Sequence, residues 1–169
     1  MTETSRSIRG PAVNTSLAVV AQVAVPFLWL GMVLAISFLE APLKFRAPGV
    51  TVPLGLGIGR LVFRALNIAE LVLAAVLTLA LLMGGRAGTG GTAGTRGLAL
   101  GDTATTVLIA LWVLLVVQVA VLRPRLDRRA RQIIEGGNPP RSRHHLLYIA
   151  AECLKVVLLP TLGVQLVQG

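Results

Sequence analysis

Four stretches, Leu17–Phe38, Leu61–Met83, Thr103–Leu122 and Leu146–Val167, are almost wholly apolar, and they constrain the fold more than anything else in this chain. A helix crosses a hydrocarbon core of roughly 30 Å in about 20 residues, with every backbone polar group satisfied inside the helix. Each stretch has that length. No run of alternating apolar and polar residues suggests a membrane β-barrel. The expected fold is therefore all-α, an integral-membrane four-helix bundle forming one domain. Composition agrees: 14% of residues are charged, against about 25% in a soluble domain. Pro26 and Pro160 fall inside the first and fourth stretches, where neighbouring helices can cover the carbonyls they free. Arg6 and Arg9 precede the first stretch as in a signal peptide. That stretch is long for a signal core and no A-x-A site follows before Glu40, so it is read as a mature span.

The net charge is +9. No aromatic platform or nucleic-acid-binding motif accompanies it, so nucleic acid is not expected as a partner. The cations lie between the apolar stretches and read as a topology signal. Lys44, Arg46, Arg60 and Arg64 flank the first connection, and seven arginines from Arg123 to Arg143 occupy the third. Only Arg6, Arg9, Arg86 and Arg96 lie on the other side. Eleven against four places the first and third connections in the cytoplasm and both termini outside. The abundance of Ala, Gly, Arg, Leu and Val resembles a high-GC bacterial proteome, so the expected location is a bacterial cytoplasmic membrane.

The connection at 84–102 is Gly- and Thr-rich and reads as a flexible external linker. The connection at 123–143 differs. Leu126, Ala130, Ile133 and Ile134 recur at helical spacing, and Asp127–Arg131 and Arg131–Glu135 are i,i+4 pairs. Gly136-Gly137 and Asn138-Pro139-Pro140 end the pattern. The expectation is a short basic amphipathic helix lying on the inner leaflet and meeting anionic lipid.

Ionisable residues inside spans are rare and expensive, so their positions carry information. Arg60, Arg64, Asn67 and Glu70 are spaced four, three and three residues apart on the second span. His145, Tyr148, Glu152 and Lys155 are spaced three, four and three apart on the fourth. Each set falls on one helical face. Glu40 and Lys44 end the first span, and Gln118 is the third span's contribution. All four helices thus bring polar residues to the cytoplasmic half. The prediction is one polar centre, rimmed by Glu40 and Lys44, with a wholly apolar outer half. The segment "APLKFRAPGVTVPLGLGIGR", from Ala41 to Arg60, has three prolines and four glycines. It reads as too broken for a helix and too apolar for a solvated loop, which predicts an interfacial or re-entrant segment. Gly57 and Gly59 are read as close-packing positions, with a helix-terminus anion site as the alternative.

"FLEAPLKFRAPG", "LGLGIGRLVFRALNIAE" and "HHLLYIAAECLKVVLL" resemble segments of a group of small bacterial four-helix membrane proteins. The resemblance covers about half the chain, the first two spans and the last. It implies the four-span fold and brings no activity with it.

Several functions suit such a centre. Titrating carboxylates on facing helices suit a small proton- or ion-coupled transporter subunit. A neutral ion-pair network would fix helix register in an accessory or structural subunit of a membrane complex. His144 or His145 with Glu152, Glu70 and Glu40 would supply N and O ligands for a metal enzyme. The Glu-x-x-His pairs of di-iron bundles are absent, and two adjacent histidines cannot hold a haem between separate helices. No cofactor is expected, and no catalytic residue stands out. A homo-oligomer or a larger complex is expected from the small size. Cys153 excludes an internal disulfide and falls off the polar stripe.

Overall fold

The computed structural model describes residues 11–84, 102–137 and 143–168. The Gly/Thr-rich linker, Arg6, Arg9 and the Asn-Pro-Pro stop all lie outside these residues. Four helical rods are long and apolar enough to span a membrane: Leu17–Arg46, Val52–Met83, Thr103–Ile134 and His145–Gln168. The protein is a multi-pass membrane protein with an all-α bundle fold. Helix α1 (Pro11–Val33) continues through a π-helical segment, Leu34–Glu40, a turn of α-helix and a final 3-10 turn ending at Arg46. Helix α2 is Val52–Gly84. Helix α3 (Thr103–Val116) passes through a second π segment, Val117–Leu122, into α4 (Arg123–Ile134). Helix α5 is His144–Gln168. In the bundle α1 packs on α2 and α5, and α3 packs on α5 and α2.

The buried seams follow a heptad. Asn67, Glu70, Ala74, Leu77 and Leu81 on α2 are buried at three- and four-residue intervals. Tyr148, Glu152, Lys155, Leu159, Leu162 and Leu166 do the same on α5, and Leu108, Leu111, Leu115, Gln118 and Leu122 on the third rod. An alternating three-four pattern keeps one edge of a helix facing its partners in a bundle. Polar residues fill the seam at one end and leucines fill the rest. The outer surface is apolar too: Leu61, Met83, Leu146 and Val157 are each more than 60% exposed, as expected where lipid replaces water.

Three readings of the sequence are corrected. First, the Ala41–Arg60 segment is neither re-entrant nor irregular. The helix runs on to Arg46, and α2 starts at Val52 rather than Leu61. The breakers serve one tight turn. Val50 N–H donates to Ala47 O (3.2 Å) across Pro48-Gly49, and Gly49 has φ +80°, as a type II turn demands. Thr51 caps α2 by accepting from Leu54 N–H at 3.4 Å, and Pro53 sits in the first turn, where its missing N–H is harmless. Gly57 and Gly59 lie inside the helix, not at its start. A Cβ at Gly55 would strike the Phe45 ring, and one at Gly59 would come within 2.9 Å of Lys44 Nζ.

Second, the basic segment is no separate surface helix: α4 prolongs the third span without a break. Asp127 faces Arg60 and Arg123 rather than Arg131. Gly136, at φ +86°, ends α4 with a Schellman pair, its N–H donating to Ile133 O and Gly137 N–H to Gln132 O. Each π segment precedes a proline, Pro42 or Pro124. A proline ring cannot accept the ordinary helical approach of the carbonyl four residues back, and a widened turn relieves it.

Third, the far half is not wholly apolar. Gln22 is buried and donates to Ala80 O at 2.9 Å. Trp112 Nε1 donates to Thr78 Oγ1 at 3.1 Å.

Candidate functional site

At the charged end of the seam, side chains from all four rods form one network. Lys155 on α5 is fully buried. Its ammonium donates to Glu70 Oε1 (2.5 Å) and Glu152 Oε1 (3.0 Å). Trp29 on α1, also fully buried, donates its indole N–H to Glu70 Oε1 at 2.9 Å. Gln118, in the π segment, donates to Glu152 Oε1 at 2.9 Å. A buried charge survives when it is paired and its remaining valences are bonded, and here the seam positions of four helices supply the partners.

Asn67 links this cluster to the surface. Its Nδ2 faces Glu70 Oε2 (3.3 Å) and the Tyr148 hydroxyl (3.1 Å), and its Oδ1 accepts from Arg123 Nη1 (3.0 Å). The reverse orientation would let Tyr148 donate to Oδ1 at 3.1 Å but would set the amide N–H against the guanidinium. Arg123 also donates to Phe63 O and Arg60 O, both at 3.1 Å, binding α4 to the backbone of α2. The Phe63 ring meets Tyr148 edge-on, with centroids 5.5 Å apart, and holds the phenol in place.

Above the network lies a cavity of about 1070 Å³, walled by the end of the first rod, the start of α2, α4 and the start of α5. Glu152, Tyr148 and Asn67 line its polar part. Glu152 is 1% exposed; among the described residues its Oε2 makes no hydrogen bond of ordinary geometry, and the Tyr148 hydroxyl faces that side chain. Ser37 Oγ, on a residue of the same wall, is likewise buried and without a hydrogen-bond partner among the described residues, and the buried Arg60 Nε makes no hydrogen bond there but lies 3.5 Å from Asp127 Oδ1.

Several predicted residues occupy other places. Glu40 pairs with Lys44 at 3.4 Å, at the cavity's edge and away from the buried cluster. Arg60 lies 3.5 Å from Asp127. His145 is exposed on the cavity wall. Arg64 is exposed and stands outside the network. The heptad explains it: carried back from Asn67, the seam passes through Phe63 and Arg60 and misses Arg64. Cys153 is exposed. Among the described residues, no three His, Cys, Asp or Glu side chains meet in a way that could hold a metal ion.

Sequence reasoning missed Trp29, Gln22, Arg123 and Asp127. Trp29 and Gln22 carry a signal, because a tryptophan N–H or an amide inside a span needs an acceptor. Arg123 looks like any topology charge until α4 is laid against α2. No protein-family profile, no curated protein sequence and no solved structure matches this chain.

Proposed function

We propose that this protein is a small proton- or ion-coupled transporter, or a subunit of one, in a bacterial cytoplasmic membrane. The cavity is its binding chamber, and Glu70, Lys155 and Glu152 are its coupling element. The observation that carries this reading is Glu152 Oε2, buried beside the cavity and without a hydrogen bond of ordinary geometry among the described residues. A network built only for register gains by satisfying each buried oxygen, whereas here, among the described residues, a carboxylate oxygen beside a cavity takes no hydrogen bond of ordinary geometry, with the Tyr148 hydroxyl facing that side chain. Two carboxylates share one ammonium, so with all three ionised the cluster carries one negative charge. One proton, or one bound cation, neutralises it. Lys155, Gln118 and Tyr148 face the Glu152 side, and Trp29, Lys155 and Asn67 face Glu70, with Arg123 behind Asn67.

The charged end is cytoplasmic by the excess of Lys and Arg there. The arginines of α4 then meet anionic lipid, and self-association or a larger complex completes a pathway too narrow for one small bundle. The test is protein-dependent proton entry into vesicles holding a pH dye, driven by a valinomycin-imposed potassium gradient. Wild type should exceed empty vesicles and Glu152→Gln should not. Wild type indistinguishable from empty vesicles would sink the coupling role.

One observation favours the second reading, an accessory subunit whose network only fixes register. Glu40, Glu70, Asp127 and Glu152 balance Lys44, Arg60, Arg123 and Lys155, four charges against four.

A further inference from the structure

We infer that the cavity takes an amphipathic organic anion, a phosphate or carboxylate group carried on an apolar body. The inference rests on the chamber reading above and adds the chemistry of what enters. Five cations, Lys44, Arg60, Arg123, Arg129 and Arg143, stand on the cavity wall against two carboxylates, Asp127 and Glu152. Such an excess draws anions toward the mouth.

The head-group position lies where the first rod meets α2. Lys44 Nζ rests over Gly59, whose missing side chain leaves room for it, beside Arg60. The Lys44 side chain is only 9% exposed, and its one carboxylate partner among the described residues, Glu40, is 3.4 Å away and itself 31% exposed. An ammonium has three N–H donors, and this one spends one of them on Glu40. Ser37 Oγ, in the same wall, has no acceptor among the described residues, and Arg60 Nε makes no hydrogen bond there but lies 3.5 Å from Asp127 Oδ1. Lys44 and Ser37 thus present unfilled N–H and O–H donors to the cavity, beside the Arg60 guanidinium that Asp127 pairs, and an oxyanion entering there has donors to accept from.

The body position is set by what surrounds those donors. The Phe45 and Phe63 rings lie 5.6 and 5.3 Å from Lys44 Nζ, and Leu126, Ile133 and Ile149 continue the wall. A cavity of about 1070 Å³ matches the upper range of sites for drug-sized ligands. A bare inorganic anion would leave most of that apolar wall uncovered. An acyl- or aryl-sized body covers it and brings its far end toward Glu152.

The ligand can come from the bilayer, as a lipid phosphate, or from solution, as a free organic anion. Binding to the full-length protein in phosphatidylcholine nanodiscs, followed by calorimetry, tests the chemistry and separates the sources. Dodecyl phosphate should bind saturably and roughly tenfold or more tighter than dodecyltrimethylammonium or inorganic phosphate. Lys44→Gln should weaken it by a similar factor. Ile149→Trp, at a half-exposed position that narrows the chamber and keeps every charge, should weaken it too. Competition by phosphatidic acid assigns the bilayer source, and its failure to compete assigns the soluble one. Equal or tighter binding of dodecyltrimethylammonium overturns the proposal. So does dodecyl phosphate binding that neither variant changes. Anion binding without protein-dependent proton entry removes the coupled-transport reading and keeps this one, and proton entry without anion binding does the reverse.

Discussion

Lys155→Met is the sharpest perturbation of the buried cluster. Methionine has nearly the volume of lysine, so packing is kept while the ammonium is lost. Glu70 and Glu152, at 0% and 2% side-chain exposure, then lose their shared cation, with former contacts of 2.5 and 3.0 Å. Removing one partner of a buried ion pair costs about 3 to 5 kcal/mol. The upper end applies here, since two carboxylates are stranded together. Glu152→Gln is a different case. Lys155 keeps Glu70, and the glutamine carbonyl still accepts from Lys155 and Gln118 in place of Glu152 Oε1. That variant should lose only about 1 kcal/mol. Adding Glu70→Gln to Lys155→Met removes one stranded charge. The double variant should therefore fall short of the sum of the singles by at least about 1 kcal/mol. Unfolding in mixed micelles by increasing sodium dodecyl sulfate, followed by circular dichroism, measures the wild type, the three single variants and the double variant. Equal losses in Glu152→Gln and Lys155→Met, or strict additivity in the cycle, would refute the shared-ammonium geometry.

Further outcomes follow from other residues. Arg123→Gln should destabilise by about 2 to 3 kcal/mol through its lost bonds to Phe63 O, Arg60 O and Asn67, whereas Arg64→Gln should stay within about 0.5 kcal/mol; the same micelle titration compares them, and equal effects would contradict the seam. In a Trp112→Phe background, Trp29 emission should be blue and resist iodide quenching, because the indole is fully buried; adding Glu70→Gln should shift it by altering the acceptor 2.9 Å from Nε1. With Cys153→Ser as background, an impermeant thiol reagent on whole cells should label Thr92→Cys and spare Ser142→Cys; the opposite pattern inverts the topology.

The four spans were legible because lipid enforces a simple rule: a crossing segment is apolar for the whole thickness and bonds its own backbone. The clustering of charge at one end was legible for a related reason, since an unpaired charge in hydrocarbon is too costly to scatter. The helical period then put Asn67 with Glu70, and Tyr148 with Glu152 and Lys155, on single faces. A period gives an angle about one helix axis and nothing about the neighbour's rotation or height. The partners across the bundle are therefore tertiary results: Trp29 on Glu70, Gln118 on Glu152, and Arg123 laid along α2. The same holds for the proline-glycine stretch after Glu40, whose breakers serve one turn instead of dissolving a helix. Arg64 shows the boundary most plainly. Its spacing from Asn67 suits a helical face, but the packed seam alternates three and four residues. Only contact with the other helices decides that Phe63, rather than Arg64, looks inward.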